Sequence, residues 1–161
     1  ISSPRSIAMK TSTLKRHYDI HERRIVIDDF GVGSKALQEL SEIGIYARGV
    51  NVGEKADDDS RFINKRAENF NRVREWLHTG GELVIDPDWK QLLDIKYRSE
   101  LSGRMKIKSK REMKQDGINS PDVADALSLT FDGDSTFDMR NAGRSSTQEL
   151  DEHELRALRN L

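Results

Sequence analysis

Cysteine is absent, which excludes disulfide staples and thiolate metal sites and points to a reducing compartment. Long apolar runs are absent as well. No stretch approaches a membrane span and none resembles a signal peptide, so a soluble cytoplasmic protein with no membrane partner is expected. Neither sign of charge is in excess, because 27 lysines and arginines against 28 aspartates and glutamates leave a net charge of −1. The chain carries no global field for nucleic acid, and any attraction to DNA has to come from local clustering. Apolar residues are scarce too. A composition 35% hydrophobic and 34% charged, with a mean hydropathy of −0.75, describes a thin core, solvated helices and at least one disordered segment. An initiator methionine is missing, since Ile1 opens the sequence, so it reads as a piece of something longer. Its 161 residues are one domain's worth, enough to hide roughly 68–70% of the unfolded surface.

Against these absences stands one dense stretch, residues 119–131. Ser120 is suited to cap a helix and Pro121 to open its first turn. Asp122 and Asp125 then share one face, while Val123, Ala126, Leu127, Thr130 and Phe131 follow the helical period on the other. Aspartates at a helix start also serve the helix dipole, so this pair alone decides nothing. A second acidic site decides more. Ile25-Val26-Ile27 is a β-branched run ending in Asp28 and Asp29, the pattern of a central strand covered on both faces. Asp28 comes at its carboxyl end, where α/β sheets place their chemistry.

The glycines at 31 and 33 turn this strand into a helix over residues 35–43, which Gly44 ends before a strand at residues 45–50. This strand–helix–strand unit implies parallel strands and a right-handed crossover. The Gly31-Val32-Gly33 turn is not a nucleotide site by sequence. The dinucleotide fingerprint needs a third glycine where Ala36 stands, and no phosphate-binding loop motif occurs. A tight turn before a packed helix is its expected use.

The remaining segments are plainer. Residues 1–19 read as a helix. His17 and His21 have a metal-like helical spacing, but Asp19 to Arg24 already looks like a turn. Asp57-Asp58-Asp59 is a polar loop of the kind usually solvated. Residues 62–79 form an amphipathic helix, residues 82–85 a short strand, and Asp86-Pro87-Asp88 opens another helix. In residues 101–113 the basic Arg104, Lys106 and Lys108 alternate with Met105 and Ile107, one strand face charged and the other apolar. Lys110, Arg111 and Lys114 extend the cluster. A lysine-protected edge strand and a contact tracking a DNA backbone both fit it. Beyond Phe131 the composition becomes that of a flexible linker, with a short helix possible at residues 150–161.

Asp28 and Asp125 are far apart in sequence, and a sheet that packs the late helix against its central strand brings them together. Hard divalent cations take such oxygen ligands. Two of them held roughly 3.5–4 Å apart clamp the attacking water and the leaving oxygen of a phosphodiester. That chemistry usually uses at least three acids, and no strand before Asp28 offers another.

At these residues the chain resembles a known family. Residues 27–33 (Ile27-Asp28-Asp29-Phe30-Gly31-Val32-Gly33), 49–56, 61–68 (Arg61-Phe62-Ile63-Asn64-Lys65-Arg66-Ala67-Glu68), 103–110 and 120–127 look like the nuclease domain of the large terminase subunit of tailed phages, in the family's order. The likeness spans about residues 20–131 and is specific as a set. It implies an α/β fold of the RNase H-like kind, a mixed sheet flanked by helices, over residues 1–131, followed by a tail at residues 132–161. It implies a magnesium- or manganese-dependent, two-metal endonuclease that cuts concatemeric double-stranded DNA at packaging, in the host cell cytoplasm. Its implied partners are double-stranded DNA, the portal protein and the small terminase subunit.

By this resemblance Asp28 matches the second catalytic acid and Asp125 the third, with Asp122 and Asp29 as auxiliary metal ligands. Arg104, Lys106, Lys108, Lys110, Arg111 and Lys114 fall on or beside the family's β-hairpin near the DNA groove. The chain departs from the family in three ways. The first strands, with the first catalytic aspartate, are expected upstream of Ile1. Lys108 stands where many relatives carry glutamate, and no Walker motif of the packaging motor occurs. The chain is therefore expected to fold yet be weakly active or inactive. Two alternatives are an inactive prophage remnant or packaging module that binds DNA or portal without cutting, and a resolvase-type nuclease that prefers branched DNA.

Overall fold

The computed structural model describes residues 3–133, so the tail's expected terminal helix and nearly all of its linker lie outside the described residues. The first helix, α1 (Pro4–His17), starts where the sequence places it. The Ser3 side chain accepts from the Ser6 N–H at 3.1 Å, Pro4 fills the first position, and Lys15, Arg16 and His17 complement the negative end of the dipole. Ala8 of α1 packs on Leu40 and Ile45, with Ile25, Ile27 and Ala47 at the edge of this cluster.

Strand β1 (Val26–Asp28) leads through Gly31 and Gly33 into α2 (Val32–Glu42), and β2 (Arg48–Val50) returns parallel to it, with Ile27 opposite Gly49 and Asp28 opposite Val50. The turn has a steric cause. A Cβ at position 33 would lie 1.9 Å from the Asp28 carbonyl oxygen, so glycine lets the first turn of α2 approach the end of β1. The expected burial of β1 on both faces is not found. All three of its residues are half-buried, because among the described residues β1 has β2 as its sole strand neighbour and packs on one cluster.

The centre of the molecule is α3 (Lys65–His78). The Asn64 side chain caps it by accepting from the Ala67 N–H at 3.1 Å. Ala67 and Phe70 enter a core with Ala56, Phe62, Ile107 and Ala124. Glu68 is buried beside them, accepting the N–H groups of Asp57 and Asp58 and pairing with Arg72, which pins the loop over α3. The short strand expected at residues 82–85 is not formed. Val84 and Ile85 are largely or fully exposed, and among the described residues no neighbouring strand pairs with them.

A 3-10 segment, Pro87–Asp94, precedes β3 (Tyr97–Ser99), which pairs antiparallel with β4 (Met105–Ile107) as a hairpin turning at Gly103. The basic stretch of residues 101–113 is thus not one strand. It leaves β4 at Lys108 and becomes α4 (Lys110–Gln115), set by a capping box in which Ser109 and Glu112 bond each other's backbone N–H groups. Helix α5 (Asp122–Leu129) follows. It starts one residue later than the Ser120–Pro121 pattern implies, because Ser120 Oγ donates to Asp122 Oδ1 at 2.6 Å instead of capping the helix. The cap comes from afar, with Gln91 Oε1 accepting the Val123 N–H at 2.9 Å. Among the described residues no helix is long and apolar enough to cross a membrane.

The α4 cap gives a pH signature. Hydrogen bonds from Ser109, backbone first and then hydroxyl, together with Arg98 hold the Glu112 carboxyl down to about 2 from its ordinary 4.5. A depressed carboxyl contributes stability present above pH 4.5 that is lost as pH falls toward 2. Thermal melts should show Glu112→Gln lowering Tm at pH 7 and flattening the fall in Tm across that acid range. An unchanged acid profile would show that the cap does not contribute.

Candidate active site

β1 delivers Asp28 at its carboxyl end, and α5 delivers Asp122 and Asp125 in its first turn, beside that strand. The three carboxylates line one open cleft of about 430 Å³, whose other polar walls come from Asn64, Arg66, Lys106, Ser109, Lys110 and Ser128. The distant acids of the sequence therefore share a site. Asp29 stands apart from them. It is exposed, does not line the cleft, and its side chain lies over Gly49.

Two cations hold Asp125. Arg66 donates from Nε and Nη2 to the same oxygen, Oδ1, at 3.1 and 2.9 Å. Lys110 Nζ lies 3.0 Å from Oδ2 and 3.2 Å from Asp122 Oδ1. Oδ2 therefore faces the Lys110 ammonium at ion-pair distance, whereas Asp28 Oδ1 is buried without a hydrogen-bond partner among the described residues. Burial pulls the Lys110 pKa down, but the bonds and charges of Asp125 and Asp122 outweigh it, and the pKa lies above its ordinary value. Asp122 is largely exposed, its pKa lowered by the Ser120 hydroxyl and then, against some burial, by Lys110. Asp28 shifts the other way. Burial raises its pKa, opposed by Lys110 and reinforced by the charges of Asp125 and Asp29.

Among the described residues no group of three or more His, Cys, Asp or Glu side chains is gathered to hold a metal ion. What the cleft offers is a pair of hard oxygens on two of its lining residues, Asp28 Oδ1 and Asp125 Oδ2, both buried and neither in an aligned hydrogen bond among the described residues, with Lys110 3.0 Å from the second. That pair fits magnesium or manganese, which bind through one or two carboxylates and complete their shell with water and phosphate oxygens. The other sequence candidates are spoken for. Asp57 meets Arg72 at 3.1 Å, Asp59 meets Lys55 at 2.5 Å and Asp58 lies 3.9 Å from Arg61, so this acidic loop is neutralised locally. His21 accepts the Arg23 N–H in a turn, and neither it nor His17 lines the cleft.

The basic residues divide into two sets. Lys110 is drawn into the cleft, Lys108 pairs with Asp116 at 2.5 Å, and Lys106 lies 3.4 Å from Glu100. Arg104 donates to Ser102 at 3.2 Å on the hairpin turn, while Arg111 and Lys114 project from α4 into solvent. Sequence reasoning missed Arg66 and Gln91, which act on α5 from remote elements. No local spacing marks either of them.

Helices pack here on two small sheets, with Asp28 at the end of the parallel pair and Asp122 and Asp125 on α5 beside it. The chain has the fold of the nuclease domain of a phage large terminase subunit. Solved structures of that domain from gp2 of bacterial virus Sf6 match it. A point mutant with manganese shares 22% identity over 77% of this chain and 71% of that one, at a TM-score of 0.65. A mutant with calcium shares 22% over 77% and 70%, at 0.60, and the domain named without a metal shares 21% over 77% and 70%, at 0.59. No protein-family model and no curated protein matches the sequence.

A carboxyl raised above its ordinary 3.8 costs stability once ionised, so its contribution is complete below that pH and lost as pH rises through the raised value. Asp28→Asn should therefore raise Tm at pH 7 in EDTA by a few degrees. The side chain is half-exposed and solvent-screened, which limits the gain to less than about 1 kcal/mol. The gain should vanish below pH 3.8, and differential scanning calorimetry at the two pH values checks it.

Proposed function

We propose that this chain is the nuclease domain of a phage DNA-packaging terminase, a magnesium- or manganese-dependent endonuclease that hydrolyses phosphodiesters of concatemeric double-stranded DNA. The observation that carries this reading is that Asp28 and Asp125, from distant parts of the chain, line one cleft, each with a buried carboxylate oxygen in no aligned hydrogen bond among the described residues. The terminase nuclease fold and the manganese and calcium of the solved relatives support it.

In this reading Asp28 and Asp125 hold divalent cations, with Asp122 at the cleft mouth as an outer oxygen donor. Bound there, two such ions supply an activated water and stabilise the leaving oxygen. The chain's own groups do the rest. Lys110 balances the carboxylates and adds a positive charge to the cleft wall. Arg104 and Lys106 of the hairpin and Arg111 and Lys114 of α4 offer positive charge to a duplex backbone, a contact that positions DNA without reading its sequence. Lys108, held by Asp116, contributes its charge to the same edge. By the same likeness the portal protein and the small terminase subunit are the protein partners, and the host cytoplasm is the place of action.

Incubation with supercoiled plasmid and manganese tests the proposal. Slow nicking is expected, stopped by EDTA and abolished by Asp28→Asn or Asp125→Asn. A rise in Tm on adding manganese, lost in Asp125→Ala, should accompany it. Nicking that persists in EDTA or in either variant would refute the assignment.

A further inference from the structure

The cleft wall carries one side chain whose every donor atom is committed. Arg66 sits in the first turn of α3 with its side chain 12% exposed. Its Nε and Nη2 both donate to Asp125 Oδ1, its Nη1 donates to the Lys108 carbonyl at 2.9 Å, and its Cζ lies 5.4 Å from the centre of the Phe70 ring. Phe70 is a core residue, so the guanidinium is seated against the apolar core.

These contacts have two consequences. Rotation of the Asp125 carboxylate would break both bonds to Oδ1, so the pair holds the group with Oδ2 on the Lys110 side. The junction of β4 with α4 cannot drift from α5 either, because Lys108 is held by the same guanidinium that holds Asp125. A lysine ammonium lacks the planar fork needed to make these contacts together.

We infer that Arg66 is a positioning residue that restricts Asp125 to single-oxygen coordination and thereby favours small divalent cations over calcium. Magnesium and manganese accept one carboxylate oxygen in an octahedral shell, whereas calcium readily takes both oxygens of one carboxylate. Freeing Oδ1 would open the second mode. The inference deepens the nuclease reading and rests on it.

The test measures metal binding in the absence of DNA, by manganese electron paramagnetic resonance and calcium calorimetry. It uses the full chain, Arg66→Lys, Arg66→Gln and Asp125→Asn. Losing a partner that orients a ligand typically weakens metal binding about 10- to 100-fold. The Arg66 variants should lose that much manganese affinity while calcium affinity changes little, so the manganese-to-calcium preference falls about tenfold or more. A general structural loss would weaken both metals alike. If both Arg66 variants keep the native preference while Asp125→Asn abolishes binding, the positioning role is overturned and the metal site stands. If Asp125→Asn binds manganese like the native chain, the metal reading falls and this inference falls with it. A readout that needs no Arg66 variant is the exchange of the Arg66 Nε–H with water in nitrogen-15 spectra. It should be far slower than that of exposed Arg5 and faster in Asp125→Ala. Fast exchange in the native chain would overturn the inference.

Discussion

Carboxylates withdrawn from water at the end of a parallel strand pair set the terms for this structure. An ionised acid in a partly buried position costs stability unless charge and hydrogen bonds meet it. Here the compensation is divided unevenly. Asp125 Oδ1 receives two guanidinium bonds, Asp125 Oδ2 has only the unaligned ammonium of Lys110, and Asp28 Oδ1 has no donor at all. Around Glu68 donors close such gaps, while Asn69 Nδ2 and Asp132 Oδ1, away from the cleft, are also buried without a hydrogen bond among the described residues. What sets Asp28 and Asp125 apart is that both residues line one cleft, and uncompensated acids at a cleft cost stability in the way proposed functional sites do.

Every element near the cleft serves that arrangement. β1 sets Asp28 at its end, and Gly33 lets α2 close beneath it. α3 carries the apolar core through Phe70 and, one turn earlier, the arginine that orients Asp125. The hairpin and α4 bring Lys110 to the acids, and their geometry depends on the Ser109–Glu112 box. Asp132, almost wholly buried, ties the chain after α5 to β2 and α3 through Arg48 at 2.5 Å and Lys65 at 3.4 Å. The site is thus held from four directions by short elements, none of which would be stable alone.

Much of this was legible in the residues. The β-branched run before Asp28, the glycine turn, the strand–helix–strand unit and the Ser3–Pro4 start of α1 are local signals, and the structure has each of them. The resemblance of the residue blocks to terminase nucleases named the fold that the structure has. What stayed hidden was tertiary. Ser120 and Pro121 look like a cap, but Gln91, from a distant 3-10 segment, takes that role once Ser120 has turned to Asp122. Alternating charge in residues 101–113 imitates one strand, although the Ser109–Glu112 box within it marks a helix start, and a period of two hides that box. Residues 82–85 have strand chemistry but no neighbour to pair with. Arg66 carries no local mark of its role, because its partners lie 59 and 42 residues away.

The account stands on Asp28 and Asp125 sharing a divalent ion. Diffraction from crystals grown with manganese, collected at the manganese absorption edge, measures this directly. An anomalous peak in contact with a carboxylate oxygen of Asp28 and with Oδ2 of Asp125 is predicted. Manganese bound elsewhere, or on one of these acids with the other turned away, would contradict it.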